Sequence, residues 1–86
     1  MTRALALEWV GQGIRVNAVA PTFVRTAFIK GLLADPVRTR EILDATPMHR
    51  LAEPEEVAAA ILFLAGPAAA MITGVTLPVD GGYLAR

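Results

Sequence analysis

The chain of 86 residues contains no cysteine and no serine, and only 6% of its residues are aromatic. Without cysteine it has no disulfide and no thiolate metal site, which fits a reducing compartment. Acidic and basic residues balance at eight each and form no basic cluster. The charge pattern therefore gives no reason to expect a nucleic-acid partner.

Long apolar runs are also missing. The longest, from Val57 to Leu64, is far shorter than the ~20 residues that a membrane-spanning helix needs. The first residues include Arg3 and Glu8 and show no small-residue cleavage pattern, so we expect no signal peptide. The sequence predicts a cytoplasmic protein without a membrane partner.

Apolar residues are abundant, at 55% of the chain. A typical soluble domain has roughly 45–50%, and a domain of this size buries only about 60% of its unfolded surface. We therefore expect part of the apolar surface to contact something outside these residues.

The first half of the chain predicts a helix followed by a strand. Residues 2–12 are apolar around most of the helical circumference, which is typical of a buried helix, and Gly11 and Gly13 are expected to end it. From Ile14 to Ala20, apolar residues alternate and Val19 adds an apolar side chain to the second face. This pattern predicts a strand in a sheet that is covered on both sides.

The second half predicts an irregular or briefly helical segment to Leu33, then two helices and a short strand, at residues 35–45, 54–65 and 75–79. Pro36 and Pro54 each stand at a favoured helix start, and Pro78 predicts a position at a sheet edge. The order is helix, strand, helical crossover and edge strand, which makes residues 1–86 one partial α/β domain with parallel strands.

The loop after the first strand is the candidate binding segment, because ligands of open α/β sheets bind beyond the carboxyl ends of the strands. Thr26 suits either a capping or turn role or a ligand contact. Phe23 and Phe28 either line a substrate pocket or pack in the core.

Other candidates favour structural roles. His49 is the one histidine and has no nearby metal-ligand pattern, so we expect no metal site and a solvent-facing or substrate-side position. Asp80 precedes Gly81 and Gly82 and is expected in a turn. The glutamates of the 53–56 segment are interpreted as helix-dipole residues, not as a catalytic pair.

Four segments together resemble the carboxyl-terminal third of the short-chain dehydrogenase/reductase family. They are residues 5–9 with 13–17 (helix and strand), 21–26 (the loop over the nicotinamide), 46–57 (the link into the last helix) and 72–74 with 79–82 (the closing strand and turn). The resemblance implies a Rossmann-like doubly wound parallel sheet, NAD or NADP as cofactor, and hydride transfer to or from a small-molecule alcohol or carbonyl. It also implies a homo-oligomer, a dimer or tetramer, for the full-length enzyme.

By this resemblance, the Val24 amide and the Thr26 side chain contact the nicotinamide carboxamide and a nearby phosphate, and Pro21 shapes the approach. Thr22 belongs to the same cofactor-binding loop. It stands where the family commonly has glycine, a difference that alters the backbone freedom of the loop. The sequence Pro-Thr-Phe-Val-Arg-Thr resembles members that act on sugar acids and polyols.

The family's mechanism needs a tyrosine that moves the proton, the lysine of its Tyr-x-x-x-Lys motif to lower the pKa of that tyrosine, and a serine that orients the substrate oxygen. No catalytic residue is assigned within this sequence. Tyr83 and Lys30 are far apart, and no glycine-rich phosphate-binding turn is present. One hypothesis is therefore a carboxyl-terminal portion of such an enzyme, whose other half is encoded upstream. The alternative is a non-catalytic remnant that acts as an assembly or interaction module through its strand edge and apolar first helix.

Overall fold

The structure is a computed structural model that describes residues 1–26 and 29–86. The helices are α1 (Thr2–Trp9), α2 (Lys30–Leu33), α3 (Pro36–Ala45) and α4 (Pro54–Ala65), and the strands are β1 (Ala18–Pro21) and β2 (Thr76–Val79). Single 3₁₀ turns follow α1 and α4 and lie near the carboxyl terminus, at Val10–Gln12, Pro67–Ala69 and Tyr83–Ala85.

β1 and β2 form a parallel pair, in which Ala18 lies opposite Thr76 and Pro21 opposite Val79. Helix α4 packs against both strands. The predicted parallel strand–helix–strand unit is therefore confirmed.

The predicted start of the first strand at Ile14 is wrong, because β1 begins at Ala18. The residues before it are held by side-chain bonds together with a backbone bond from the Gly74 N–H to the Val16 carbonyl at 2.8 Å. The Val16 N–H donates to Thr73 Oγ1 at 3.0 Å. The Asn17 amide donates to the Ile72 carbonyl at 2.9 Å and accepts from the Val75 N–H at 3.1 Å. β2 accordingly starts at Thr76, one residue later than predicted.

The helix starts agree with the sequence. Asp35 caps α3, since its carboxylate accepts the Val37 N–H at 3.0 Å, and Pro36 is the first helical residue. Pro54 begins α4, and Gly66 follows its last turn. Acceptors and prolines at these positions satisfy or remove the orphan N–H groups of a helix start.

Helix α1 is placed as predicted but is not buried. Ala6 is its buried residue, whereas Leu7 is 79% and Trp9 37% exposed. The expectation of burial is wrong for this chain, since the described residues place no second layer over these faces. Gly13 ends the first helical segment in the left-handed conformation, at φ 76°, as predicted.

The exposed surface is large for the mass of the chain. Its accessible area is 6116 Å², against about 4,900 Å² for a compact monomer of this mass. The radius of gyration is 15.7 Å, against about 12 Å for a compact domain of this length. Within residues 1–26 and 29–86, no helix has the length and apolar character needed to cross a bilayer.

Candidate functional site

The carboxyl ends of β1 and β2 meet at one edge of the sheet. Pro21 lies opposite Val79, and the Thr22 N–H donates to the Val79 carbonyl at 3.2 Å. The segment 22–26 leaves this edge from β1, and the turn 80–82 leaves it from β2. The predicted binding loop therefore stands where an open α/β sheet receives its ligand.

Val24 is held by an isolated parallel bridge to Ala52. The Ala52 N–H donates to the Phe23 carbonyl at 3.1 Å, and the Arg25 N–H donates to the Ala52 carbonyl at 2.8 Å. Because peptide groups alternate in direction along an extended chain, this pairing turns the N–H and C=O of Val24 away from Ala52. Neither group has a hydrogen-bond partner among the residues that the structure describes.

Val24 thus presents a donor and an acceptor that the described residues leave unpaired. A primary carboxamide carries both an acceptor oxygen and a donor NH₂ group, so one carboxamide can satisfy the N–H and the C=O of the same residue.

The other predicted site residues that the structure describes are sequence neighbours of Val24, and they do not share one cleft. Pro21 is the last residue of β1, and Thr22 lines a cleft of about 330 Å³. Thr26 is exposed, and its carbonyl accepts the Ile29 N–H at 3.1 Å. Phe23 is 39% exposed and does not line that cleft. The second predicted substrate residue, Phe28, lies outside the described residues.

The turn after β2 forms another wall of the cleft. Asp80 accepts the N–H groups of Gly82 and Leu84, at 3.0 and 3.1 Å, which confirms its role as a turn residue. Gly81 has φ 60°, and a Cβ there would lie 2.8 Å from Thr46 Cγ2. This position requires glycine both for its backbone conformation and for the close approach of the 46–48 segment.

Two arginine–glutamate pairs, which the sequence patterns did not indicate, lie beside the loop. Arg50 donates to both carboxylate oxygens of Glu56, at 2.7 and 2.8 Å. This bidentate hydrogen bond from Arg50, together with the hydrogen bond from the Glu53 N–H, lowers the pKa of Glu56 to about 2. Arg25 Nε donates to Glu53 Oε1 at 2.9 Å.

These pairs escaped sequence reasoning because the arginines lie in irregular segments. Arg25 and Glu53 are 28 residues apart, so no helical spacing connects them. A weaker signal for these ion pairs was present in the sequence, since two arginines lie in loops that precede or face an acidic helix start. The interpretation of Glu56 as a helix-start residue is confirmed, since its carboxylate accepts the Glu53 N–H at 2.9 Å.

His49 lies in the connection between α3 and α4. It is exposed, has φ 54°, and its Nδ1 lies 3.0 Å from the Leu43 carbonyl. The described part of the chain holds no group of three residues suited to a metal ion.

Comparison with known proteins adds to this geometry. A sequence model of a family described as enoyl-(acyl carrier protein) reductase matches residues 1–84. A galactitol 2-dehydrogenase (L-tagatose-forming) of Cereibacter sphaeroides is 54% identical over 83 residues, which cover 96% of this chain and 33% of that protein. A tropinone reductase homolog of Arabidopsis thaliana is 45% identical over 82 residues, covering 95% of this chain and 26% of that protein.

Solved structures agree closely with the fold. An Agrobacterium tumefaciens protein with bound NADP, provisionally assigned as a 2-deoxy-d-gluconate 3-dehydrogenase, superimposes with a TM-score of 0.95 at 44% identity. The match covers 99% of this chain and 35% of that one. A 4-hydroxyisoleucine dehydrogenase complexed with NADH gives a TM-score of 0.94 at 27% identity, over 99% of this chain and 35% of that one.

The parallel strands, the crossing helix α4 and the ligand edge define part of an α/β protein of the Rossmann-like, doubly wound class. Within that class, the chain belongs to the short-chain dehydrogenase/reductase family. It spans about a third of the length of the curated relatives that it matches.

Proposed function

We propose that these residues form the nicotinamide side of an NAD(P)-dependent oxidoreductase, which transfers hydride between the cofactor and a small-molecule alcohol or carbonyl. The observation that carries the proposal is the Val24 peptide, which is held at the carboxyl edge of β1 by the bridge to Ala52 and has no hydrogen-bond partner among the described residues. Bound NADP and NADH in related structures support the choice of cofactor.

Each residue of the loop has a proposed task. The Val24 N–H donates to the carboxamide oxygen and its C=O accepts from the carboxamide NH₂, which fixes the orientation of the ring. The exposed Thr26 hydroxyl donates to the carboxamide or a nearby phosphate. Pro21 ends the strand, and Thr22 sets the path of the chain into the loop. When bound, the nicotinamide would supply or accept the hydride.

The proposed substrates are polyols and sugar acids, with Phe23 and Phe28 on the substrate side. Relatives named as galactitol and gluconate dehydrogenases support this class. The serine and the Tyr-x-x-x-Lys motif of the family are not among these 86 residues. We therefore propose that residues outside them move the proton and that this chain alone is inactive. We also propose that the complete enzyme is a homo-oligomer.

A hybrid enzyme tests the proposal. In it, the 86 residues replace the matching segment of the Cereibacter sphaeroides galactitol 2-dehydrogenase, and the unaltered enzyme is the reference. We expect the hybrid to oxidise galactitol with NAD or NADP. A folded hybrid that neither binds NAD(P)H, measured by cofactor fluorescence, nor turns over would refute the proposal.

Two substitutions in the hybrid test the loop itself. Val24→Pro removes the N–H but leaves the bridge to Ala52, which uses the neighbouring residues, and Val24→Ala is its matched control. We expect Val24→Pro to raise KM for the cofactor about tenfold, the loss of roughly one hydrogen bond, and Val24→Ala to change it little. Thr26→Val is expected to raise KM several-fold, whereas Thr26→Ser retains the hydroxyl and stays near the reference. If Val24→Pro and Val24→Ala gave equal KM values, the contact assigned to the Val24 N–H would be contradicted. Equal KM values for Thr26→Val and Thr26→Ser would likewise contradict the contact assigned to the Thr26 hydroxyl.

The non-catalytic assembly module remains the second candidate, favoured by the exposed apolar side chains of α1. The hybrid separates the two functions, because a segment retained only for assembly has no need to preserve the cofactor loop. Turnover in the hybrid that depends on Thr26 supports the oxidoreductase.

A further inference from the structure

Arg25 stands between the two residues proposed to contact the cofactor, Val24 and Thr26. Its backbone N–H donates to the Ala52 carbonyl at 2.8 Å, and its side-chain Nε donates to Glu53 Oε1 at 2.9 Å. The backbone and the side chain of Arg25 therefore hold two successive residues of the facing segment. Both bonds act on the part of the loop that carries the Val24 peptide.

Glu53 is the N-cap of α4 and forms a capping box with Glu56, the third residue of the helix. The backbone N–H of Glu53 donates to the carboxylate of Glu56 at 2.9 Å. The guanidinium of Arg50 donates two hydrogen bonds to that same carboxylate. Arg25, Glu53 and Glu56 thus form a continuous hydrogen-bond network. It begins at Arg25 in the loop and reaches Glu56 in the first turn of α4.

We propose that Arg25 and Glu53 are a positioning pair, which fixes the cofactor loop against the start of α4 and so orients the Val24 peptide for the nicotinamide carboxamide. This inference rests on the proposed function. The pair acts through Val24 and does not itself contact the cofactor.

The magnitude of the effect follows from the exposure of the pair. The side chains are 58% and 43% exposed, and exposed ion pairs contribute little to global stability. Loss of the pair should therefore leave folding almost unchanged and affect the loop. A loop that occupies several positions presents the Val24 peptide correctly for only part of the time, and the apparent cofactor affinity falls in proportion.

The test uses the hybrid enzyme with Arg25→Gln, Glu53→Gln and the double variant. We expect each single variant to raise KM for the cofactor about two- to fivefold with kcat within twofold, and the double variant to resemble either single one. Hydrogen exchange of segments 22–26 and 50–53 is expected to accelerate by a similar factor. Arg25→Lys, which preserves a cation, should recover part of the loss.

The matched control is the pair Arg40–Asp44, a surface ion pair at 3.4 Å on α3, away from the loop. Arg40→Gln and Asp44→Asn make the same charge changes and are expected to alter neither KM nor exchange at residues 22–26.

The outcomes distinguish this inference from the proposed function. If the unsubstituted hybrid is folded but has no turnover and no cofactor binding, the proposed function fails. If the hybrid is active and the Arg25 and Glu53 variants leave both KM and exchange unchanged, the positioning pair is refuted and the proposed function stands. Faster exchange without a change in KM, or additive effects in the double variant, would also refute positioning.

Discussion

The guanidinium of Arg15 donates from Nη1 to the Leu64 carbonyl at 2.8 Å, which joins residues 49 positions apart. The same group reaches the carbonyls of Ile72 at 3.2 Å and Gly66 at 3.3 Å. These carbonyls lie at the end of α4 and just before β2. Arg15 therefore caps the carboxyl end of the crossing helix, where a cation also complements the helix dipole, and ties it to the segment that enters β1.

Replacing Arg15 should destabilise the domain. Arg15→Gln removes charged donors from three partly buried carbonyl contacts, and we expect a loss of about 2 kcal/mol in the free energy of unfolding. Arg15→Lys should recover little, since an ammonium cannot reproduce the planar fork. Urea denaturation of the hybrid enzyme measures both.

The control for Arg15 is Arg38→Gln on α3, a surface arginine whose side chain has no partner in the described ranges. Its unfolding free energy should match that of the reference. An Arg15→Gln variant as stable as Arg38→Gln would show that the cap contributes nothing.

Gly81 should tolerate no side chain. Alanine there must adopt a positive φ, at roughly 1–2 kcal/mol, and its Cβ would lie 2.8 Å from Thr46 Cγ2. We expect Gly81→Ala to lower the free energy of unfolding by about 2–4 kcal/mol, the steric part being roughly 1–3 kcal/mol. Adding Thr46→Ser removes the clashing methyl group and should restore that steric part.

Gly11→Ala is the matched control for Gly81→Ala, because a Cβ at Gly11 meets nothing within 4 Å. Thermal unfolding of the hybrid should show little change for Gly11→Ala. Equal midpoints for the two alanine variants would contradict the steric argument.

The Arg50–Glu56 pair predicts an acid-dependent stability. The folded-state pKa of Glu56 is lowered from 4.5 to about 2, chiefly by the hydrogen bond from Arg50. A lowered pKa means that the stabilisation is complete above pH 4.5 and is lost as the pH falls towards 2. We expect the difference in thermal midpoint between the reference hybrid and Glu56→Gln to be largest near pH 7 and to shrink across this window.

Glu41→Gln provides the comparison for this titration, since Glu41 lies on the exposed side of α3 without an ion-pair partner in residues 1–26 and 29–86. It makes the same charge change without removing an ion pair within those residues. A Glu56→Gln difference that stays constant between pH 7 and pH 3 would refute the prediction.

The chain by itself should associate. Its accessible area of 6116 Å² includes Leu7 at 79% and Leu62 at 75% exposure, and apolar surface of this extent favours association. Light scattering is expected to give a mass above the 9.1 kDa of the monomer. Leu7→Gln should weaken association, whereas Glu8→Gln on the same helix should not; a 9.1 kDa monomer with a sharp thermal transition would overturn this expectation.

The local signals predicted the elements well. Pro36 and Pro54 marked the helix starts because capping and proline chemistry act within a few residues. The Asp80 turn was equally readable, since its bonds reach only two and four residues along the chain. The start of β1 was not, because Asn17 and Thr73 replace ladder bonds with side-chain bonds across more than 55 residues.

The sequence by itself determined the α/β class, the order of the elements and the position of the binding loop after β1, since periodicity and capping are properties of neighbouring residues. Only the tertiary structure decided which groups of that loop are paired with other described residues. The bridge from Ala52 turns the Val24 peptide outward, and Glu53 reaches Arg25 across 28 residues. Such contacts depend on how distant segments pack, which no local pattern specifies.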